Sequence, residues 1–299
     1  MASEQRAAVK SVESIGENAT LGGADPAPET GIDWADAFDN FRHVPNAAEI
    51  LKNGSDEARA FRESASNAEF DVAYGPGPRE VMDLYWPTGT PRGLAVFLHG
   101  GYWHKLSKDD WSHMAAGALA AGWAMAIPSY PLAPEARLGE MVRATARAVE
   151  AAAARVAGPI RIAGHSAGGH LALRLACADA PMSTAVARRV ARVVSISGLH
   201  DLRPLRRAPM NATLGIDAAE ARAESPALLA PRAGSQIVLW VGAEERPELI
   251  RQTALMAEAW QGRVARLRRV IENERHHFDV VDGLFVPGSP LGEAFLGRD

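Results

Sequence analysis

The sequence predicts an α/β fold, a mostly parallel central sheet with helices on both faces and a small lid. Three observations carry that expectation. Short continuous apolar runs, such as GLAVFLHGG (93–101) and QIVLWVG (236–242), read as strands buried on both faces. They alternate with segments of helical periodicity, as a parallel sheet with crossover helices requires. Their ends are rich in glycine and polar residues, and ligands of such sheets bind beyond the carboxyl ends of the strands.

Residues 1–30 are rich in Ala, Glu, Gly, Ser and Pro without a sustained period, and are expected to be a mobile tail. Residues 31–299 are expected to form one domain, with lid elements at about 31–70 and 200–232. REVMDLYW (79–86) has strand periodicity, and GLAVFLHGG is a buried strand. Residues 107–121 look helical, and WAMAIPSY (123–130) is the next strand. Leu138, Met141, Val142, Val149 and Val156 share one helical face. IRIAG (160–164) is a short strand and HLALRLACA (170–178) a helix. ARVVSISG (191–198) and QIVLWVG are strands, PELIRQTALMAEAW (247–260) a helix, and RLRRVIEN (266–273) the last strand.

The 299 residues are 47% hydrophobic, enough for a sizeable core, and the formal net charge of −4 argues against a nucleic-acid partner. The single cysteine, Cys177, permits no internal disulfide; it lies in an apolar run with no adjacent base and reads as a buried hydrophobe. No apolar segment suits a signal peptide or a membrane span, so a cytoplasmic protein acting on a small molecule is expected, with a homodimer as one assembly to consider.

GHSAGGH (164–170) joins a short strand to a helix and carries Gly164, Ser166 and Gly168 at the Gly-x-Ser-x-Gly spacing. A serine on a strained strand-to-helix turn is presented to solvent with a helix N-terminus behind it, as a nucleophile needs. Its hydroxyl requires a base. His165 and His170 flank it but are expected to point away. His277, on the loop after the last strand, is the favoured base and His276 the neighbouring alternative. An acid must fix the tautomer of that base. Glu245, after the strand ending at Gly242, is favoured, with Glu244 beside it as the alternative. HGGYW (99–103) closes another strand, so backbone N–H groups near Gly101 and Tyr102, with that of Ala167, are the candidate oxyanion donors.

Tyr102 and Trp103 could stack on an aromatic leaving group, although core packing competes as a reading of Trp103. His200, with Asp201, ends a strand on the same rim and could contact substrate or tie its loop together. Met210 and Asn211 could belong to a lid, and Arg203, Arg206 and Arg207 could attract a carboxylate, although solvated arginines are commoner.

The order Ser, Glu, His is that of α/β-hydrolases. The constellation resembles the HGG esterase/lipase group of that fold, and more narrowly its kynurenine formamidase (arylformamidase) branch. The residues that carry the resemblance are FDNFRHVPNAAEIL (39–52), YGPGPREVMDLYWP, HGGYW, GHSAGGHLA, SGLHDLRPL, AESPALL and GAEERPELIRQT, over about residues 36–290. It implies a Ser166–Glu245–His277 triad and cleavage of N-formyl-L-kynurenine to formate and kynurenine, with no metal or organic cofactor. This sequence departs from the branch in having His200 where tyrosine is usual, Glu245 where many members have aspartate, and a large charged residue, Arg246, next to it. Two other readings remain: a carboxylesterase for short acyl esters, and a hydrolase-fold binding protein without turnover.

Overall fold

The structure is a computed structural model that describes residues 31–297; the expected tail lies outside the described residues. Eight strands form one sheet: β1 (Ala68–Ala73), β2 (Val81–Tyr85), β3 (Leu94–Leu98), β4 (Ala124–Pro128), β5 (Ile160–His165), β6 (Val190–Ile196), β7 (Gln236–Gly242) and β8 (Arg266–Glu272). Their order is β1-β2-β4-β3-β5-β6-β7-β8, antiparallel across β1/β2 and β2/β4 and parallel elsewhere.

Side chains of a strand alternate between faces, and here the alternation feeds two separate cores. Leu94, Val96, Leu98, Ile237 and Leu239 pack into one, with the helices Leu138–Arg155, Ala167–Arg174 and Pro247–Trp260. Ala95, Phe97, Val238 and Trp240 enter the other, against the helices Ala115–Ala120 and Pro290–Leu296. Burial on both faces explains why these strands read as unbroken apolar runs.

Three local expectations are corrected. Residues 107–121 do not form one helix. Ser107 and Asp110 cap a short 3₁₀ turn, Lys108–Asp110, a second turn spans Ser112–Met114, and the α-helix begins only at Ala115. The helix expected over 170–178 starts at Ala167, immediately behind Ser166, and ends at Arg174. The sheet also gains β1, whose alternation is hidden because its side chains are mostly exposed.

The region 31–70 contains two single-turn helices, Trp34–Ala37 and Asn40–His43, and the long helix Ala47–Ser64. Charge docks the long helix: Arg62 bonds Asp83 at 2.9 Å and Ser55 bonds Asp110 at 2.9 Å. Lys108, almost fully buried, completes this network on Asp83, Asp71 and Asp109. The region 200–232 holds short helical turns, including Pro204–Arg207, Asn211–Leu214 and Ala218–Ala223. Among the described residues no helix is long and apolar enough to cross a membrane.

Candidate active site

The strand ends of β3, β5, β7 and β8 bring the expected residues to one rim. Ser166 follows β5 with φ 55° and ψ −116°, a conformation that L-residues rarely adopt. Its N–H donates to the Ile196 carbonyl at 2.8 Å, which pins the turn to β6. The two motif glycines permit close backbone approach. A methyl at Gly164 would overlap the Gly168 carbonyl, and one at Gly168 would overlap the Leu98 carbonyl.

Burial and bonding distinguish the two candidate glutamates. Glu244 is exposed, whereas the Glu245 side chain is fully enclosed. One Glu245 oxygen accepts from His277 Nδ1 at 2.8 Å. The other accepts from the Gly242 N–H at 3.0 Å and from the Ser197 hydroxyl. A carboxylate can only accept, so His277 carries its proton on Nδ1 and leaves Nε2 free as a base. His276 is turned away: its Nδ1 accepts from the N–H groups of Phe278 and Asp279 at 3.2 and 3.3 Å. The acid and base loops are joined through their backbones, since Ala243 donates to the Glu272 carbonyl and Glu244 to that of Arg275.

No hydrogen bond joins Ser166 Oγ to the His277 ring in this structure. His165 links the two loops instead. Its Nε2 donates to the His277 carbonyl at 2.9 Å, and the two rings lie 4.7 Å apart. Burial, with His277 next to it, drives the His165 pKa well below its ordinary value, so the ring is a neutral donor. Sequence reasoning set His165 aside and missed Ser197. The only available signals were a histidine beside the elbow serine and a polar residue in the SISG run.

On the other side of Ser166 lies the HGGYW loop. A methyl at Gly100 would sit 3.3 Å from Ser166 Cβ, so the loop is flush against the serine. Gly101, Tyr102 and Trp103 have φ of 112°, 52° and 58°, three consecutive left-handed residues. His104 and Lys105 both donate to the Gly101 carbonyl, at 3.1 and 2.9 Å. Among the described residues, the N–H groups of Gly101, Tyr102 and Ala167 have no acceptor, which leaves them free to meet an oxyanion.

The expected substrate contacts are placed differently. Tyr102 is partly buried, and its hydroxyl donates to the Phe38 carbonyl and accepts from Asn40 Nδ2, both at 3.3 Å. The Trp103 expectation is corrected. Its indole is 1% exposed and donates to His170 Nδ1 at 3.2 Å, so the ring is committed to the core. His200 is buried beside Gly198, and burial, helped by His170, lowers its pKa to about 3, which makes it neutral. Its loop is tied down by Gln252, whose Oε1 accepts from the N–H groups of His200 and Asp201. Arg203 is closed on Asp201 by two hydrogen bonds of 2.9 and 2.8 Å. The guanidinium of Arg207 lies 5.9 Å over Trp34, and Asn211 bonds both backbone groups of Ile216. Burial pushes the Cys177 thiol up to about 12, so it is no nucleophile. Among the described residues, no three His, Cys, Asp or Glu side chains cluster as a metal site would need.

The model of the alpha/beta hydrolase family matches residues 95–294. Kynurenine formamidase of Salmo salar is 29% identical over 247 residues, covering 78% of this chain and 81% of that protein. The Danio rerio kynurenine formamidase is 27% identical with the same coverage. A solved structure of a candidate thioesterase from Silicibacter sp. TM1040 is 42% identical, covers 89% of this chain and 99% of its own, and superposes with a TM-score of 0.84. This chain therefore belongs to the alpha/beta hydrolase family, and within it is similar to the kynurenine formamidases.

Proposed function

We propose that this protein is a serine hydrolase that cleaves a small acyl amide, with N-formyl-L-kynurenine as the substrate and formate and kynurenine as the products. The observation that carries the reading is the chain from Ser197 and Gly242 through Glu245 to His277, on the same rim as the elbow serine. In this mechanism Ser166 Oγ attacks the formyl carbon while His277 Nε2 takes its proton. Glu245 stabilises the imidazolium without itself being protonated. The negative oxygen of the tetrahedral intermediate is met by the N–H groups of Ala167 and the Gly101–Tyr102 turn, each donor contributing about 3–4 kcal/mol. His277 then gives its proton to the leaving amine. Water, deprotonated by the same base, attacks the formyl ester, releasing formate and restoring Ser166. These steps call on no metal or organic cofactor.

The substrate is taken from the likeness to the two formamidases. The candidate thioesterase, more similar in sequence, supports a second reading, an esterase for short acyl groups that uses the same residues. The test is steady-state hydrolysis of N-formyl-L-kynurenine and p-nitrophenyl acetate, with Ser166→Ala and fluorophosphonate labelling as controls. A Ser166-dependent kcat/KM of about 10⁴ M⁻¹s⁻¹ or more on the formamide supports the first reading. Cleavage of the ester alone selects the second. Absence of both labelling and turnover refutes the serine mechanism and leaves a binding protein.

A further inference from the structure

One short segment, Asp36–Phe41, touches all three loops that carry the proposed chemistry. Arg246, which follows Glu245, donates from Nε to the Asp36 carbonyl at 3.3 Å, and its guanidinium pairs with the Asp36 carboxylate. Tyr102, in the oxyanion loop, bonds Phe38 and Asn40. Phe278, which follows His277, packs edge-on against Phe41 with ring centres 5.2 Å apart. Asp33 and Asp39 cap the two single-turn helices that this segment joins, and Phe38 between them is buried in the core. The His43 hydrogen bond and the Arg246 guanidinium hold the Asp36 carboxyl below its ordinary range, which favours its charged form.

Asn40 has a further property. It is 3% exposed, and its Oδ1 has no hydrogen-bond partner. Its orientation follows from its neighbours. The Phe38 carbonyl can only accept, so the Tyr102 hydroxyl spends its proton there and must accept from the amide NH₂ of Asn40. The amide oxygen is thereby left with an unmet demand for a donor, beside the oxyanion loop, and buried acceptors are rarely left so.

We propose that Asp36–Phe41 is the recognition strap for the leaving group, with Asn40 Oδ1 accepting an N–H of an arylamine and Arg246 the positioning residue that fastens the strap. This rests on the proposed function. It also gives Arg246 a role: the large charged side chain beside the acid holds a segment in place rather than meeting the substrate.

The test is calorimetric binding of L-kynurenine to the full chain, with p-nitrophenyl acetate hydrolysis and thermal unfolding measured on the same samples. Asn40→Ala is expected to weaken kynurenine binding about tenfold, the cost of one well-placed hydrogen bond, and to lower ester kcat/KM by clearly less than that. Arg246→Ala weakens binding at least as much as Asn40→Ala, and Arg246→Lys, which can still pair with Asp36, recovers most of it. Equal losses of binding and ester hydrolysis would show a scaffold role and overturn the proposal. So would unchanged binding, or a wild-type protein that binds no kynurenine. A wild-type protein that binds kynurenine through Asn40 yet does not cleave the formamide would refute the proposed function and leave the strap standing.

Discussion

Replacing Glu245 by glutamine tests the proposed chemistry at its least visible member. The side chain keeps its shape, but its two ends are no longer equivalent. One oxygen position receives the Gly242 N–H and the Ser197 hydroxyl; the other faces His277 Nδ1. Turning the new NH₂ toward Gly242 sets donor against donor and costs about 1–3 kcal/mol. The amide oxygen therefore takes the Gly242 side and the NH₂ faces His277. Nδ1 must then accept, and the imidazole proton moves to Nε2, the nitrogen that should receive the serine proton. The corresponding Asp-to-Asn change in a serine protease lowers kcat by about 10⁴ through this tautomer. A loss of about 10³–10⁴ in kcat, roughly 4–5.5 kcal/mol, is expected here, with KM for p-nitrophenyl acetate unchanged. Fluorophosphonate labelling should slow in parallel, and thermal unfolding should confirm an intact fold. Glu244→Gln should stay within twofold of wild type, because Glu244 is exposed and its backbone alone contacts the base loop. Retention of more than a tenth of kcat in Glu245→Gln, or an equal loss in Glu244→Gln, refutes the assignment.

Three further outcomes are expected. Gly168→Ala drives a methyl into the Leu98 carbonyl behind the nucleophile elbow, and both partners are backbone; soluble yield or the unfolding midpoint should fall by the equivalent of more than about 3 kcal/mol. Lys108→Met strips the cation from buried Asp83 and should cost about 3–5 kcal/mol in urea unfolding; an unchanged midpoint would show that Arg62 alone neutralises Asp83. Asp282 is raised to about 7, chiefly by burial and then by the neighbouring Asp279 carboxylate. The folded state therefore binds more protons than the unfolded chain between about pH 4 and 7, and this group's contribution to stability declines as pH rises through that window. Asp282→Asn should be more stable than wild type at pH 8, by on the order of 2–4 kcal/mol, and the difference should close near pH 4. A pH-independent difference would refute the shift.

The sequence alone determined those parts of the protein whose cause is local. Seven strands were legible, β3 to β7 because burial on both faces writes them as apolar runs and β2 through its alternation. The elbow was legible because the close approach of β5, its following helix and the β3 end demands glycine at 164 and 168 whatever lies elsewhere. The tertiary structure decided what depends on partners distant in the chain. The edge strand β1 exists through pairing with β2, and the helix Ala47–Ser64 is docked through Arg62 on Asp83 and Ser55 on Asp110, partners distant in the chain. Glu244 and Glu245 are equivalent as letters. Only the fold buries one of them against Ser197, Gly242 and His277. Trp103 could be read equally as pocket wall or core, and only the fold brings His170, 67 residues away, to its N–H. The contact of Arg246 with Asp36 spans 210 residues, a separation at which side-chain chemistry offers no local pattern and only the packed chain decides which charges meet.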